Sequence, residues 1–313
     1  MSDMMTCMPF GQLMDWVLQE KKGQDTVFGV HRPYTADPKN DMTIFTRNLE
    51  TPVGPAAGPH TQLAQNIIAS YYAGARFFEL KTVQKMDGAE LSACVNKPCI
   101  LADDEGYNCE WSTELTVPDA MGEYIKAWFI LHVIAKEFGL GAQDGFQFNI
   151  SVGYDLAGIK GEKVNTFIDG MMEAKDTVIF QECRKWLLDN ADKFQNFTRE
   201  DIEAIPSNVC NSATISTLHG CPPQEIESIA NYLLTEKHLN TFVKCNPTLL
   251  GYDFARKTMD EMGYDYMVFG DFHFRDALQY EDAVPMLTRL MKLSEGLGLE
   301  FGVKITNTFP VDV

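Results

Sequence analysis

The chain alternates between stretches with apolar residues at helical spacing and short apolar runs bounded by Gly, Pro or polar residues. In residues 9–22, Phe10, Leu13, Met14 and Val17 recur at the spacing of one helical face, which predicts a helix. After residue 50 helical patterns and short apolar runs take turns along the chain. This alternation predicts βαβ units.

The same patterns predict the remaining elements. Further helices are predicted over 60–74, 119–138, 163–175, 177–194, 224–236, 252–262 and 281–297, and strands over 76–82, 146–154, 212–218, 240–247, 264–270 and 299–308. Pro222 and Pro223 are expected to open the helix over 224–236, because proline suits a first helical turn. The strands are expected to be apolar on both faces, as in a parallel sheet covered by helices. Periodicity alone leaves a doubly wound sheet and a barrel open.

The domain organisation follows from the same change of pattern. We predict that residues 1–50 form a helical N-terminal preamble and that residues 51–313 form the main domain. Neither G-x-G-x-x-G nor G-x-x-x-x-G-K-[ST] occurs, so the usual dinucleotide and P-loop signatures are absent from the sequence.

The composition of the chain limits the kinds of partner that it could bind. The formal net charge of −18 repels phosphate backbones and anionic lipids, which argues against a nucleic-acid or membrane-surface role. The eight cysteines form no C-x-x-C pair, and no apolar run approaches the roughly 20 residues of a membrane span. The first residues lack the pattern of a signal peptide. We therefore predict a cytoplasmic protein that acts on a small molecule.

Candidate chemistry is sought at the carboxyl ends of the strands, where parallel α/β folds place their sites. The candidates are Ala56, Ala57, Gly58, Lys81, Thr82, Asp155, Thr217, Cys221, Lys244, Asn307 and Thr308.

Lys81 and Lys244 both follow apolar strand residues, which would set an ammonium group near the ends of the strands. A lysine there could stabilise the negative charge of a reduced flavin ring. Alternatively, each lysine extends to solvent or pairs with a carboxylate such as Glu79.

Small or polar residues at the other strand ends suit a planar ligand. Ala56–Gly58 would let the backbone approach a flat ring closely, although a tight turn alone also explains them. Asn307 and Thr308 could hydrogen-bond a planar substrate or only cap a strand.

The cysteines offer a further kind of chemistry. Cys221 precedes a helix opened by proline, and a helix N-terminus lowers the pKa of a thiol. It could serve as proton donor, nucleophile or metal ligand, or be an inert free thiol. The spacing of Cys94, Cys99 and Cys109 matches no iron–sulfur pattern, and we predict no metal site.

Four segments together resemble the flavin barrel of the dihydroorotate and dihydropyrimidine dehydrogenases. They are TPVGPAAGPHTQLAQNI (51–67), ELKTV (79–83), FVKCNP (242–247) and ITNT (305–308). The resemblance implies a (β/α)8 TIM barrel. It also implies FMN held by Ala56, Ala57, Gly58, Lys81, Thr82 and Lys244, with substrate held by Asp155, Asn307 and Thr308.

Longer segments are similar to the selenate reductase subunits of the YgfK type. They include EWSTEL (110–115), STLHGCPPQEIE (216–227), TFVKCNPTLLGY (241–252) and FGVKITNT (301–308). Proteins of that type join the barrel to a reductase half, which implies FAD, a nicotinamide (NAD(P)H) site and 4Fe-4S clusters outside this sequence. The other redox subunits or the reductase half would be its partners.

The resemblance has departures. It puts Thr217 where the dehydrogenases carry a Cys or Ser base, and Cys221 four residues on could replace it. Asp155 stands where the family has a substrate-facing Asn. The match stops before the last two barrel strands, which carry the phosphate grip, so weak or absent FMN binding by this chain alone is expected. The expected function is a flavin-dependent oxidoreductase domain, and the alternative is a non-catalytic barrel that acts as scaffold or substrate-binding module.

Overall fold

A computed structural model describes residues 6–37, 39, 42–88, 90, 115–216, 221–275 and 277–306. The helices are α1 (Phe10–Gln24), α2 (Ala64–Ala73), α3 (Val117–Glu137), α4 (Leu156–Lys160), α5 (Glu162–Met172), α6 (Val178–Asp189), α7 (Arg199–Ala204), α8 (Pro223–Thr235), α9 (Tyr252–Glu261), α10 (Phe272–Arg275) and α11 (Tyr280–Leu297). The strands are β1 (Met42–Ile44), β2 (Arg47–Leu49), β3 (Phe77–Glu79), β4 (Gln147–Val152), β5 (Cys210–Ile215), β6 (Asn240–Cys245) and β7 (Phe301–Ile305).

The helices predicted from apolar periodicity are all present, with ends shifted by a few residues. Pro222 caps α8 and Pro223 begins it, as the sequence predicts. The antiparallel hairpin β1–β2 was not predicted, because its three-residue strands give no clear alternation.

The predicted strand over 264–270 is wrong. The segment forms turns, and the side chains of Tyr266 and Val268 are 74% and 64% exposed. The Arg256 guanidinium of α9 donates to the carbonyls of Tyr264 and Met267, at 3.1 and 2.6 Å. A side chain therefore takes the backbone acceptors that a neighbouring strand would use.

Contacts divide the chain into two units. The first comprises residues Met1–Ser151 and Gly161–Asn211, and the second comprises Val152–Lys160 and Ser212–Val313. Helix α1 and the hairpin β1–β2 belong to the first unit. The predicted division at residue 50 stays a prediction.

In the first unit, β3 and β4 pair in parallel with Glu79 in register with Asn149. One face of the pair is aromatic: the Phe148 ring lies 5.5 Å from Phe78 and 5.4 Å from Trp128 of α3. The opposite face carries Glu79 and Asn149, which are buried. The expectation of strands that are apolar on both faces is therefore wrong, because one face buries polar groups.

A buried ion pair ties several backbone segments together in the first unit. The Arg76 guanidinium donates to the Glu50 carboxylate at 2.6 Å, and both side chains are buried. Arg76 also donates to the carbonyls of Tyr71 and Leu140, and Glu50 accepts the backbone N–H of Ala142. The hydrogen bonds to backbone groups offset part of the cost of removing both charges from water.

The second unit contains three parallel strands in the order β5–β6–β7. Helix α8 buries Ile226, Ile229 and Leu233. An ion pair between Arg289 of α11 and Glu227 of α8, at 2.7 Å, links the two neighbouring helices.

Within the described ranges, no helix combines the length and the apolar character needed to cross a bilayer.

Candidate functional site

The segment before α2 in the first unit is held against β3. The N–H of Ala57 donates to the Glu79 carboxylate at 3.0 Å. The N–H of Gly58 donates to Thr61 Oγ1 at 3.2 Å, and the Thr61 hydroxyl donates back to the Gly58 carbonyl at 3.0 Å. These bonds fix the small-residue loop Ala56–Gly58 at the carboxyl end of the strand.

The imidazole of His60 packs against Gly58. A Cβ at this position would lie 2.5 Å from His60 Cε1, so the ring would have to move to admit a side chain.

His60 was missed by the sequence reasoning. Burial lowers the pKa of the imidazole, a hydrogen bond with the Ala56 backbone partly opposes this, and the positive charge of Lys81 lowers the pKa by a smaller amount. The ring is therefore neutral at pH 7. Its Nδ1 atom is buried and makes no hydrogen bond among the described residues. A lone His followed by Thr gives no periodic or motif signal that would mark it.

Lys81 is 3% exposed, so the fold removes this cation from water. Its carbonyl accepts the Tyr124 hydroxyl of α3 at 3.1 Å. The N–H of Leu80 donates to the Asn149 carbonyl, and the N–H of Val83 donates to the Ser151 carbonyl. Between these two bonds the segment after β3 contains one residue more than the matching part of β4. This is the pattern of a bulge, a feature that re-aims side chains and is common beside functional sites.

Thr82, the other residue predicted after β3, lies within this bulge. Its hydroxyl is 2.8 Å from that of Ser151, and both side chains are buried. Thr82 is therefore fixed by β4. In the first unit the structure joins the loop Ala56–Gly58 to β3 through Glu79, two residues before Lys81.

Lys244 of β6 is the corresponding lysine of the second unit. It is 9% exposed, and its ammonium donates to Ser216 Oγ at 2.8 Å. Ser216 directly follows β5, and its N–H donates to the Val152 carbonyl at 2.8 Å. Ser216 was not among the predicted residues, because serine after a strand is too common to stand out.

Asp155 has a local structural task. Its carboxylate accepts the N–H of Gly158 at 2.7 Å and so caps the short helix α4. The preceding Tyr154 has a φ of 111°, which is strained for a residue with a side chain. The predicted role of Asp155 toward a substrate stays a prediction.

Cys221 is half-buried and lies two residues before the start of α8. The position beside a helix N-terminus is as predicted, and its role stays a prediction. Thr217, Asn307 and Thr308 lie outside the described residues, as do Cys94, Cys99 and Cys109. Among the residues that the structure describes, no group of three or more His, Cys, Asp or Glu side chains is placed to hold a metal ion.

Comparison with known families assigns this chain to the TIM-barrel domains of oxidoreductases. A family model described as "Oxidoreductase YgfK, N-terminal TIM-barrel domain" matches residues 28–313. The chain belongs to this family. The predicted barrel class and the predicted resemblance are thereby confirmed.

Relatives and solved structures add detail. The chain is 45% identical over 322 residues to proteins named "Putative oxidoreductase YgfK" from Escherichia coli strain K12 and from Escherichia coli O157:H7. The match covers 98% of this chain and 31% of each relative, so the chain spans about a third of their length. Crystal structures of DHODH from Eimeria tenella are also similar. The ligand-free form is 12% identical with a TM-score of 0.39, and the alignment covers 95% of this chain and 83% of that one. The complex with ferulenol is 11% identical with a TM-score of 0.40, and the alignment covers 95% of this chain and 80% of that one.

Proposed function

We propose that the chain is a flavin-dependent oxidoreductase domain that uses FMN. The observation that carries the proposal is the buried Lys81, which lies two residues after Glu79, the residue whose carboxylate holds the loop Ala56–Gly58 through the Ala57 N–H. A lysine at this place could add positive charge beside a flavin ring, which gains negative charge on reduction.

The residues of the first unit fit a flavin. The loop Ala56–Gly58 presents small side chains that allow a planar ring to approach the backbone. The buried Nδ1 of His60, which lacks a hydrogen bond among the described residues, offers a polar contact to a ring substituent. Thr82 is held by Ser151 and can contribute its hydroxyl without losing further rotational freedom.

Each residue then has a defined task. A bound flavin would supply two-electron hydride chemistry. Lys81 would provide positive charge at the polar edge of the cofactor, and the neutral His60 would add a hydrogen bond without adding charge. The proton that accompanies hydride transfer would be held by Cys221 or Thr217. The family resemblance alone supports a role in binding flavin or substrate for four further residues: Lys244, Asp155, Asn307 and Thr308.

We assign the remaining steps to a longer polypeptide. Because this chain spans about a third of its relatives, we propose that electrons arrive from a reductase part that carries FAD, a nicotinamide site and 4Fe-4S clusters. Selenate and a reduced heterocycle are both candidate substrates. We also propose a cytoplasmic location.

The role of Lys81 is tested by the variant Lys81→Met in the full-length protein. The reduction potential of the bound FMN should fall, because the reduced ring loses a nearby cation. Lys22→Met removes an equal charge from α1 and should leave the potential unchanged. Lys244→Met is expected to lower the potential as Lys81→Met does.

An FMN potential that is the same in Lys81→Met and the parent protein would remove Lys81 from the site. Full-length protein that binds no FMN at all would favour the non-catalytic barrel.

A further inference from the structure

An apolar segment of the second unit has no part in the proposed chemistry. Residues 262–272 join α9 to α10 and include the segment 264–270, which forms turns in place of the predicted strand. Five large apolar side chains of residues 262–272 are exposed, with fractions from 40% to 74%: Met262, Tyr264, Tyr266, Val268 and Phe272. Neither a sheet nor the core of this unit accounts for the apolar character of these five side chains.

The first unit shows how unusual this concentration is for the chain. Among the described residues of that unit, the large apolar side chains that are exposed are scattered singly along the sequence: Trp16, Met42, Val53 and Val178. Single exposed apolar residues are ordinary on protein surfaces, whereas contiguous ones mark interaction sites. Tyr, Phe and Met are also residue types that are enriched at interfaces. Segment 262–272 therefore has the composition of a contact surface.

Contacts to α9 fix the conformation of this segment. The Arg256 guanidinium of α9 donates to the carbonyls of Tyr264 and Met267. It also lies 4.6 Å from the centre of the Phe269 ring, which is buried. The rings of Tyr264 and Tyr266 are 6.2 Å apart, so these two side chains belong to one surface. A surface that is ordered before it binds loses less conformational entropy on binding.

The charges around the segment indicate the kind of surface that it fits. The Lys and Arg side chains of residues 252–275 are paired with acids of their own region: Arg256 with Asp260, Lys257 with Glu261, and Arg275 with Asp271. Asp253 and Asp265 are exposed and form no ion pair with any described residue. An apolar partner surface with basic side chains is complementary, and arginine also stacks on tyrosine rings.

We propose that segment 262–272 is the surface on which the remaining part of the longer polypeptide docks. The match covers 31% of the relatives, so about two-thirds of such a polypeptide lies outside this domain. A stable interface between separate proteins takes about 20–30 residues from each side, which is more than this segment offers. A covalently linked partner needs less, because the link raises its effective concentration.

The position of the segment relates the docking surface to the candidate site. Helix α10, which begins at Phe272, contacts the turn Pro247–Leu250. This turn directly follows β6, the strand that carries Lys244. A part that docks here therefore reaches the strand ends of this unit, as electron delivery from a reductase part requires. The inference rests on the longer polypeptide of the proposed function and needs no flavin.

Methionine oxidation in the full-length protein tests the proposal without any variant. In this domain Met262 is 63% exposed, whereas Met42 and Met291 are 40% and 45% exposed, so an uncovered Met262 should react fastest with dilute hydrogen peroxide. We expect Met262 to be oxidised about tenfold more slowly than the other two, as for a docked state populated about 90% of the time. Mass spectrometry measures the three rates. Met262 that is oxidised as fast as Met42 and Met291, or faster, overturns the proposal.

A charge placed on the surface should open it. Tyr266→Asp in the full-length protein should raise the oxidation rate of Met262 about fivefold or more, because docking would bury the new carboxylate. Val178→Asp introduces the same charge at a residue of the first unit that is equally exposed, at 74%, and should leave the Met262 rate unchanged. Equal Met262 rates in Tyr266→Asp and the parent would contradict docking on this segment. If Tyr266→Asp does not fold, the parent measurement still decides.

Light scattering at several protein concentrations separates the linked part from a second copy of the chain. Protection of Met262 that is independent of concentration supports the proposal, and protection that is lost on dilution together with a dimer overturns it. The FMN content of the same samples keeps this test apart from the proposed function. Protected Met262 in protein without FMN supports docking and contradicts the flavin, and accessible Met262 in protein with FMN does the reverse.

Discussion

At the scale of single residues, the candidate chemistry depends on buried polar side chains. Lys81 is almost inaccessible to water, and its charge helps to keep the neighbouring His60 neutral. A neutral imidazole beside a cation can accept or donate a hydrogen bond without adding repulsion. This pairing suits a polar ligand that gains negative charge during a reaction.

The identity of the proton-transferring residue is tested by Cys221→Ser and Thr217→Ala. A threonine hydroxyl hardly ionises near neutral pH, whereas a thiol beside a helix N-terminus does so more readily. Cys221→Ser should therefore slow flavin reduction or oxidation by substrate in stopped-flow absorbance, with flavin still bound, and Thr217→Ala should slow it less. The reverse order of effects would make Thr217 the base.

The stability of the chain should depend on pH through His132. Burial, with a smaller effect of the Arg47 charge, lowers the pKa of this imidazole to about 3. Unfolding restores an ordinary pKa near 6.5, so the unfolded chain binds the extra proton between these values. The free energy of unfolding should therefore fall on acidification from pH 6.5 toward pH 3, by up to about 1.4 kcal/mol per pH unit.

Urea unfolding of the parent at several pH values measures this slope. His132→Leu should flatten it, because the titrating group is gone, and His31→Leu should not, because His31 is exposed. An equal slope in His132→Leu and the parent would assign the acid sensitivity to other groups.

The sequence could predict which candidate residues lie at strand ends, but it could not predict which side chains or backbone groups they contact. Lys81 and Lys244 stand out because a lysine after an apolar run is unusual. His60 and Ser216 gain their meaning only from contacts that join distant parts of a unit, such as the bond from Lys244 to Ser216. Such contacts leave no periodic signal in the sequence.

At the scale of elements, buried ionic groups join strands and loops that the hydrophobic core alone would not align. Arg76→Met would leave the Glu50 carboxylate buried without its cation and should cost about 3–5 kcal/mol of unfolding free energy. Lys185→Met breaks an exposed pair with Asp189 and should cost about 0.5 kcal/mol or less.

The double variant Arg76→Met/Glu50→Met separates charge burial from packing. It should recover part of the loss, because no unpaired charge remains. Denaturant unfolding of the three variants and the parent measures the effect. A double variant that is less stable than Arg76→Met would show that packing, and not the buried charge, dominates.

Helices were predicted well because long apolar stripes have a single interpretation. Helix α3 is buried along most of its length, and its pattern is unambiguous. The segment 264–270 shows the opposite case: its apolar residues suggest a strand, yet the Arg256 side chain takes the backbone acceptors. A side-chain contact that replaces a ladder cannot be seen in apolar periodicity.

At the scale of the whole molecule, the family match and the candidate site support the same interpretation. The chain belongs to a TIM-barrel family of oxidoreductases and spans about a third of the length of its Escherichia coli relatives. The central claim is that this domain uses FMN, with Lys81 in contact with it.

The most direct test measures FMN in the purified full-length protein. The flavins are released by denaturation and separated by chromatography, so that FMN is distinguished from the FAD of the proposed reductase part. Our account predicts FMN in stoichiometric amount in the parent and in Lys22→Met, and a reduced amount or a lowered potential in Lys81→Met. Protein that contains FAD but no FMN, and takes up none when FMN is added, would contradict it.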